Sequence, residues 1–174
     1  MSVAAVKEYL REWGKDADVR EFFRSSATVA LAAEALGVEP ARIAKTLSFK
    51  LAPGCVLIVA AGDARIENSK FKAFFGKKAI MPKPEETLEL TGHPVGGVCP
   101  FAVNPAVRVY LDISLRRFGT VFPACGSASS SVEMTPDELF ACSRAMDWVD
   151  LCSGWENASR VQRGDAPLDS PPGD

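Results

Sequence analysis

The chain has 174 residues, of which 47% are hydrophobic and 24% charged, with a formal net charge of −2 and a pI near 5.5. That length and apolar content suit one domain with a real core rather than two. The acidic balance excludes nucleic-acid binding through overall positive charge and leaves only a local basic patch for such a contact.

No run of 18 apolar residues occurs, and charges interrupt the apolar pattern of the N-terminal MSVAAVKEYLREWG, so neither a membrane span nor a signal peptide is expected and the expected location is the cytoplasm. The cysteines Cys55, Cys99, Cys125, Cys142 and Cys152 are odd in number and form no C-x-x-C pair, and His93 is the only histidine. Reduced thiols are therefore expected, with no metal site and no cofactor.

Along the chain, Val3, Val6, Leu10 and Trp13 recur at helical spacing between a capping Ser2 and Gly14, which predicts an amphipathic first helix. A second helix fits TVALAAEALGV, with Thr28 as cap, Ala32, Ala35 and Leu36 inward, and Gly37 at the stop. The stretch RIAKTLSFKL then alternates, placing Ile43, Lys45, Leu47, Phe49 and Leu51 on one strand face and Ala44, Thr46, Ser48 and Lys50 on the other. Lys45 thus points where the apolar residues point, and an ammonium held there is costly unless it has a partner or lines a wet cavity. Two plainer readings stand beside the functional one: a lysine at the strand's start that snorkels out, or a helix that continues through PARIAK.

CVLIVAAG reads as the next strand, and ENSKFKAFFGKK as a short helix from Asn68, with Phe71, Phe74 and Phe75 on one face and Gly76 ending it. Lys70, Lys72, Lys77 and Lys78 lie off that face and, with Lys83 nearby, form the best local basic patch for phosphates, although a solvated helix face explains any one of them.

After a helix ending at Leu90 comes GHPVGGVCPF, a loop of the kind on which sites are built. Gly96 and Gly97 allow backbone angles and close approaches closed to other residues, and Pro100 biases Cys99 towards an extended form. Such a loop can aim N–H groups at an oxyanion, or it can be an ordinary glycine-rich connection. Cys99 and Cys125 are possible nucleophiles with His93 as activator, but buried unreactive cysteines are the plainer reading.

VRVYLDIS, TVFPACG and SSSVEM complete a set of about five to seven expected strands. In PACGSASSSVEM, Gly126 with Ser127, Ser129 or Ser130 could bind an anion or ribose, or make a tight hairpin turn. TPDELFACSRAM is the clearest helix start, with Thr135 as cap, Pro136 first in the helix and Glu138 closing a capping box. The end, ENASRVQRGDAPLDSPPGD, loses periodicity. A single domain is expected over residues 1–155 and a mobile tail over 156–174, where the glycosylation match at Asn157 carries no meaning in a cytosolic protein.

Taken together, TVALAAEALGVEPARIAKTLSFK, TGHPVGGVCPF, VYLDISL and ACGSASSSVEMTPDEL make the stretch from Thr28 to Leu151 resemble the YbaK/EbsC family of aminoacyl-tRNA deacylases, relatives of the editing domain inserted in bacterial prolyl-tRNA synthetases. The resemblance implies an α+β fold, a compact mixed α/β domain with a bent, barrel-like mixed sheet flanked by helices. It implies that a G-x-x-x-P loop, matched by Gly96 and Pro100, shapes the aminoacyl pocket, so Gly97, Val98, Cys99 and Phe101 of that loop are expected to bind substrate, as are Gly126 and Ser127 from the reading of the later turn. It also implies that the lysine matched by Lys45 is the residue most needed for activity.

The implied substrate is a mischarged tRNA, foremost tRNA(Pro) carrying Cys, Ala, Ser or Thr, and the implied partner is prolyl-tRNA synthetase. Neither DNA nor a membrane is expected as a partner. Two departures touch the pocket: Cys99 stands where the family often has serine, and AVN follows the Pro-Phe pair where glycine is frequent. A noncatalytic module that binds an aminoacyl or nucleotide ligand is the alternative from another class, and a cysteine-dependent hydrolase is a third.

Overall fold

Capping side chains set where several helices of this chain start. In the computed structural model, which describes residues 2–156, helix α1 (Val3–Leu10) begins at Ser2, whose hydroxyl accepts from the Ala5 N–H at 3.3 Å. The chain then passes through a 3-10 turn to Gly14 and on to a two-residue strand β1 (Arg20–Glu21). Helix α2 (Val29–Leu36) starts where Thr28 Oγ1 accepts from Leu31 N at 3.1 Å and stops at the left-handed Gly37. Each such cap satisfies a backbone donor that the helix leaves orphaned, worth about 1 kcal/mol.

A 3-10 turn over Pro40–Arg42 ends any helical continuation through PARIAK, so Lys45 is the third residue of strand β2 (Ile43–Leu51). Strand β3 (Gly54–Ala61) follows antiparallel to it, paired from Ala44 opposite Ala61 to Leu51 opposite Gly54. Next come β4 (Arg65–Ile66), α3 (Asn68–Phe75) and α4 (Pro84–Thr91), the last with Pro84 first in the helix and the Glu86 carboxylate accepting from Lys83 N at 2.9 Å. Strands β5 (Arg108–Asp112), β6 (Phe122–Pro123) and β7 (Ser130–Ser131) lead to α5 (Pro136–Cys142). Its predicted capping box is present: Thr135 Oγ1 accepts from Glu138 N at 3.1 Å and Glu138 Oε1 from Thr135 N at 2.9 Å. Strands β8 (Trp148–Val149) and β9 (Cys152–Ser153) complete the described chain. The tail expected from 156 onward lies, beyond Glu156, outside the described residues, as does Asn157.

Nine strands occur among the described residues rather than five to seven, because β1, β4, β8 and β9, of two residues each, are too short to show a period; β1 pairs with β7 and β4 with β9 in two small ribbons. The other five form one mixed sheet in the order β6-β2-β3-β5-β8. β3 is its central strand and is buried from Cys55 to Ala61, as its unbroken apolar run requires of a strand covered on both faces. Leu57, Val59 and Ala61 pack on one side with Leu10, Phe101, Leu111, Leu115 and Leu139. Val56 and Ile58 pack on the other with Phe49, Leu51, Phe71 and Leu151. Two rings hold α3 to the sheet: Phe71 lies 4.9 Å from Phe49 of β2, and Phe75 lies 5.3 Å from Tyr110, in the strand Arg108–Asp112. Near its start, β2 is flanked by a third cluster in which Ile43 meets Ala32, Ala33 and Phe122. The small alanines let α2 lie close to the sheet edge, and this junction opens into a cavity. No helix among the described residues is long and apolar enough to cross a membrane.

Candidate active site

A cavity of about 520 Å³ opens at the β6 edge of the sheet, between the start of α2, strand β2, the start of α4 and the loop before Val98. Its size lies within the usual range for a small-molecule site. Apolar walls come from Val29, Ala32, Ile43, Val95, Val98 and Phe122, and polar groups from Lys45, Thr46, Ser130 and Ser131. Of the described residues that line it, none is Asp, Glu, His or Cys.

Lys45 is half-buried on this wall, and its Nζ donates to the backbone oxygens of Gly62, at 3.4 Å, and Ala64. Burial pushes its pKa below the usual lysine value. Cys152 and Asp63 oppose that shift, and Arg65 adds to it. Lys45 thus sits on the face that the alternation of β2 predicts, and the partner that its burial demands is a pair of carbonyls.

The outer edge of β2 is a second feature of the wall. β6 pairs with it only at Ile43 and Ala44, and further along Lys50 N donates outward to Ile80 O at 2.7 Å. Because backbone groups alternate sides along an antiparallel strand, Thr46 and Ser48, which have the parity of Lys50, also turn theirs outward, at the cavity they line. The Thr46 hydroxyl is buried there without a hydrogen-bond partner. A buried polar atom left unpaired costs free energy that a ligand can recover. Sequence reasoning had not singled out Thr46 as a site residue; its signal was its place beside Lys45 on a strand whose neighbour is too short to cover it.

The glycine-rich loop divides between wall and interior. Gly96, at φ +88°, and Val98 line the cavity, whereas Gly97 is buried where an added Cβ would stand 3.1 Å from Gly126 O and Ser127 Cα. Gly96 thus answers to a backbone angle and Gly97 to a close approach between two loops. Cys99, Pro100 and Phe101 are buried, and Cys99 and Phe101 belong to the main core rather than to the cavity lining. Gly126 and Ser127 likewise form the turn rather than the wall: Ser127 Oγ donates to Ser130 Oγ at 2.9 Å, and of the serines from 127 to 131 it is Ser130 and Ser131 that reach the cavity. Residues before α2 strap over this turn, with Phe22 N donating to Ser129 O at 2.7 Å and Ser26 Oγ to Ala128 O at 2.9 Å.

The thiols do not have the chemistry of nucleophiles. All five cysteines are free and buried. Burial pushes the Cys99 thiol up to about 12 and raises that of Cys125 still further. Of the lysines proposed for phosphates, Lys70 is engaged by Asp150 and by Cys152 O, each at 3.0 Å, while Lys72, Lys77 and Lys78 are exposed. Among the described residues no group of three or more His, Cys, Asp or Glu could hold a metal ion.

The domain is small and mixed α/β, and the cavity that Lys45 lines is apolar on most of its wall and edged by an open strand. Residues 24–142 match the aminoacyl-tRNA editing domain, and the chain belongs to that family. It is 52% identical over 157 residues to the uncharacterized protein YwhH of Bacillus subtilis, spanning 90% of this chain and all of that one. It is 27% identical over 137 residues, 78% of each chain, to an Enterococcus faecalis protein named "Putative Cys-tRNA(Pro)/Cys-tRNA(Cys) deacylase EbsC". Among solved structures, a "putative trans-editing enzyme for prolyl tRNA synthetase" superposes with a TM-score of 0.79 at 32% identity, over 88% of this chain and 99% of the other. The mixed α/β editing-domain fold expected from the resemblance is therefore the fold of this chain.

Proposed function

We propose that the protein is a free-standing deacylase that hydrolyses the ester of a mischarged tRNA, with tRNA(Pro) carrying Cys, Ala, Ser or Thr as the foremost substrate. The observation that carries this reading is that Lys45 and the Gly96–Val98 loop, distant in sequence, line one cavity. The apolar wall would take the amino-acid side chain. The outward N–H and C=O groups of β2 and the Thr46 hydroxyl would take its polar head.

The Lys45 ammonium would stabilise the negative charge that grows on the ester oxygen during attack, a contribution that is large in a water-poor site. Water, or the substrate's own side-chain nucleophile, adds to the carbonyl carbon. The carbon–oxygen bond to the ribose then breaks, and the ribose oxygen leaves with the proton that the attacking water or side chain gives up. Water releases the free amino acid directly, and a side chain releases a cyclic ester or thioester that water opens afterwards. Because no carboxylate, imidazole or thiol lines the cavity among the described residues, positioning and electrostatics must do most of the work. Lys72, Lys77 and Lys78, followed closely by the cavity residue Met81, are the proposed phosphate contacts, and prolyl-tRNA synthetase is the proposed partner.

That same lack of an acid or base favours one other reading, a noncatalytic module that binds an aminoacyl group. Wild-type protein incubated with tRNA(Pro) charged with Cys, Ala, Ser, Thr or Pro separates the two. Hydrolysis of one or two small members with Pro-tRNA(Pro) spared is the expected result; binding without any turnover supports the module instead.

A further inference from the structure

We propose that Asp63 and Arg117 are positioning residues for Lys45, an ion pair that holds the turn whose carbonyls fix the lysine's ammonium at the cavity wall. This role rests on Lys45 acting on the substrate. Lys45 sits on a four-carbon stem with large rotamer freedom, so its head group occupies one place only if its acceptors do. Those acceptors are Gly62 O and Ala64 O, the two carbonyls that flank Asp63.

The turn is pinned at three points. Ala64 N donates to Ala61 O at 3.0 Å and Gly62 N to Ala41 O at 3.3 Å. Gly62 passes so close to the preceding 3-10 turn that an added Cβ would collide with Pro40 O. The third point is the Asp63 side chain, which accepts from Arg117 Nη1 at 3.0 Å and Nη2 at 2.5 Å in a two-pronged contact.

Arg117 is itself held fast. Its side chain is only 3% exposed, Nε donates to Ser114 O at 2.9 Å and Nη1 also to Trp155 O at 3.3 Å, while the guanidinium lies over the rings of Phe118 and Trp155. Ser114 closes the circuit by accepting from Ala61 N at 3.1 Å. A desolvated ion pair is weak grounds for stability, since taking both charges out of water offsets much of their attraction, but its fixed fork geometry suits the placing of a neighbour. The pair also matters electrically: of the charged and titratable groups that act on Lys45, Asp63 and Cys152 favour its ammonium and Arg65 opposes it.

The test uses the tRNA ester that the wild type turns over, with Arg117→Lys, Asp63→Asn, Asp63→Glu and Lys45→Ala compared for kcat, KM, thermal midpoint and pH profile. Arg117→Lys keeps the charge and loses the fork, so kcat should fall about 10-fold to 100-fold, the cost of a misplacement on the order of 1 Å, with KM and the pH profile little changed. Asp63→Asn should lower kcat similarly and also move the alkaline limb of the profile to lower pH, because a charge that favours the ammonium is gone; Asp63→Glu should restore that limb. Wild-type kcat in Arg117→Lys and Asp63→Asn beside an inactive Lys45→Ala would overturn the positioning role and leave the function standing. Loss of kcat only in step with loss of the thermal midpoint, with the alkaline limb unmoved in Asp63→Asn, would overturn it as well. Full activity in Lys45→Ala would overturn both.

Discussion

The Cys99 sulfur lies 3.5 Å from Nε2 of His93 in the interior, the spacing of a thiol and the base that would activate it. The same Nε2 stands 2.7 Å from the carbonyl oxygen of Phe101, so it carries the proton and donates it there, leaving no lone pair to take the thiol's. The other ring nitrogen, Nδ1, is buried without a partner. Both residues are fully buried, and the pair belongs to the packing beneath the loop. Cys99→Ala and Cys125→Ala should therefore keep wild-type turnover of the tRNA ester; loss of activity in either soluble, folded variant would reinstate a cysteine-dependent mechanism.

The same burial fixes how stability depends on pH. The Cys99 and Cys142 thiols, ordinarily near 9.0, are raised by burial to about 12 and about 11, so above pH 9 the unfolded chain gives up protons that the folded chain keeps. Their stabilising effect is complete below pH 9 and is lost as pH climbs through those raised values. On the acid side, burial lowers the His93 pKa from 6.5, so the unfolded chain takes up a proton that the folded one refuses and stability declines as pH falls below 6.5. Urea midpoints measured from pH 5 to pH 11 should fall at both ends, and His93→Gln should flatten the acid side.

Gly97→Ala tests the close approach of the two loops. Its new methyl would meet Gly126 O at 3.1 Å and Ser127 Cα at 3.1 Å, backbone atoms that cannot swing aside as a side-chain tip can. A stability loss of about 1–3 kcal/mol is expected from such overpacking. Activity should drop at temperatures where the variant remains folded, because the loop that carries Gly96 and Val98 shifts. Unchanged melting and activity would show that the two loops have room to spare.

Exposed lysines should matter through the tRNA backbone rather than the ester. Replacing Lys72, Lys77 and Lys78 together by alanine should raise KM, leave kcat, and reduce the salt slope of tRNA binding by about 1 for each phosphate no longer neutralised. Lys70→Ala should do less, since Lys70 is already committed to Asp150 and Cys152 O. An equal effect of all four positions would mean that the ion pair at Lys70 opens on binding.

The helices were legible where a side chain ended them: Ser2, Thr28 and the Thr135–Pro136–Glu138 box each cap as their residue types require. Strands β2 and β3 were legible from alternation followed by an unbroken apolar run, though not their pairing, and alternation alone put Lys45 on the face where it is found. Strands β1, β4, β8 and β9 were not, because two residues carry no period and their pairing is decided by partners far along the chain. The loop was half legible. Its glycines announced unusual backbone, but nothing local says that Val98 turns to the cavity while Cys99 and Phe101 turn to the core. Thr46 was hidden for a related reason: whether a strand edge is open depends on where its neighbour stops, here at Pro123.

Everything proposed for the cavity turns on one comparison, deacylation by Lys45→Ala beside wild type on the mischarged tRNA(Pro) that the wild type hydrolyses. A loss of kcat of about 100-fold or more is expected, as for a removed charge-stabilising donor, with the thermal midpoint held or raised because a half-buried ammonium has been removed. Turnover at the wild-type rate in a folded Lys45→Ala protein would refute the role of the lysine and move the reaction away from this cavity.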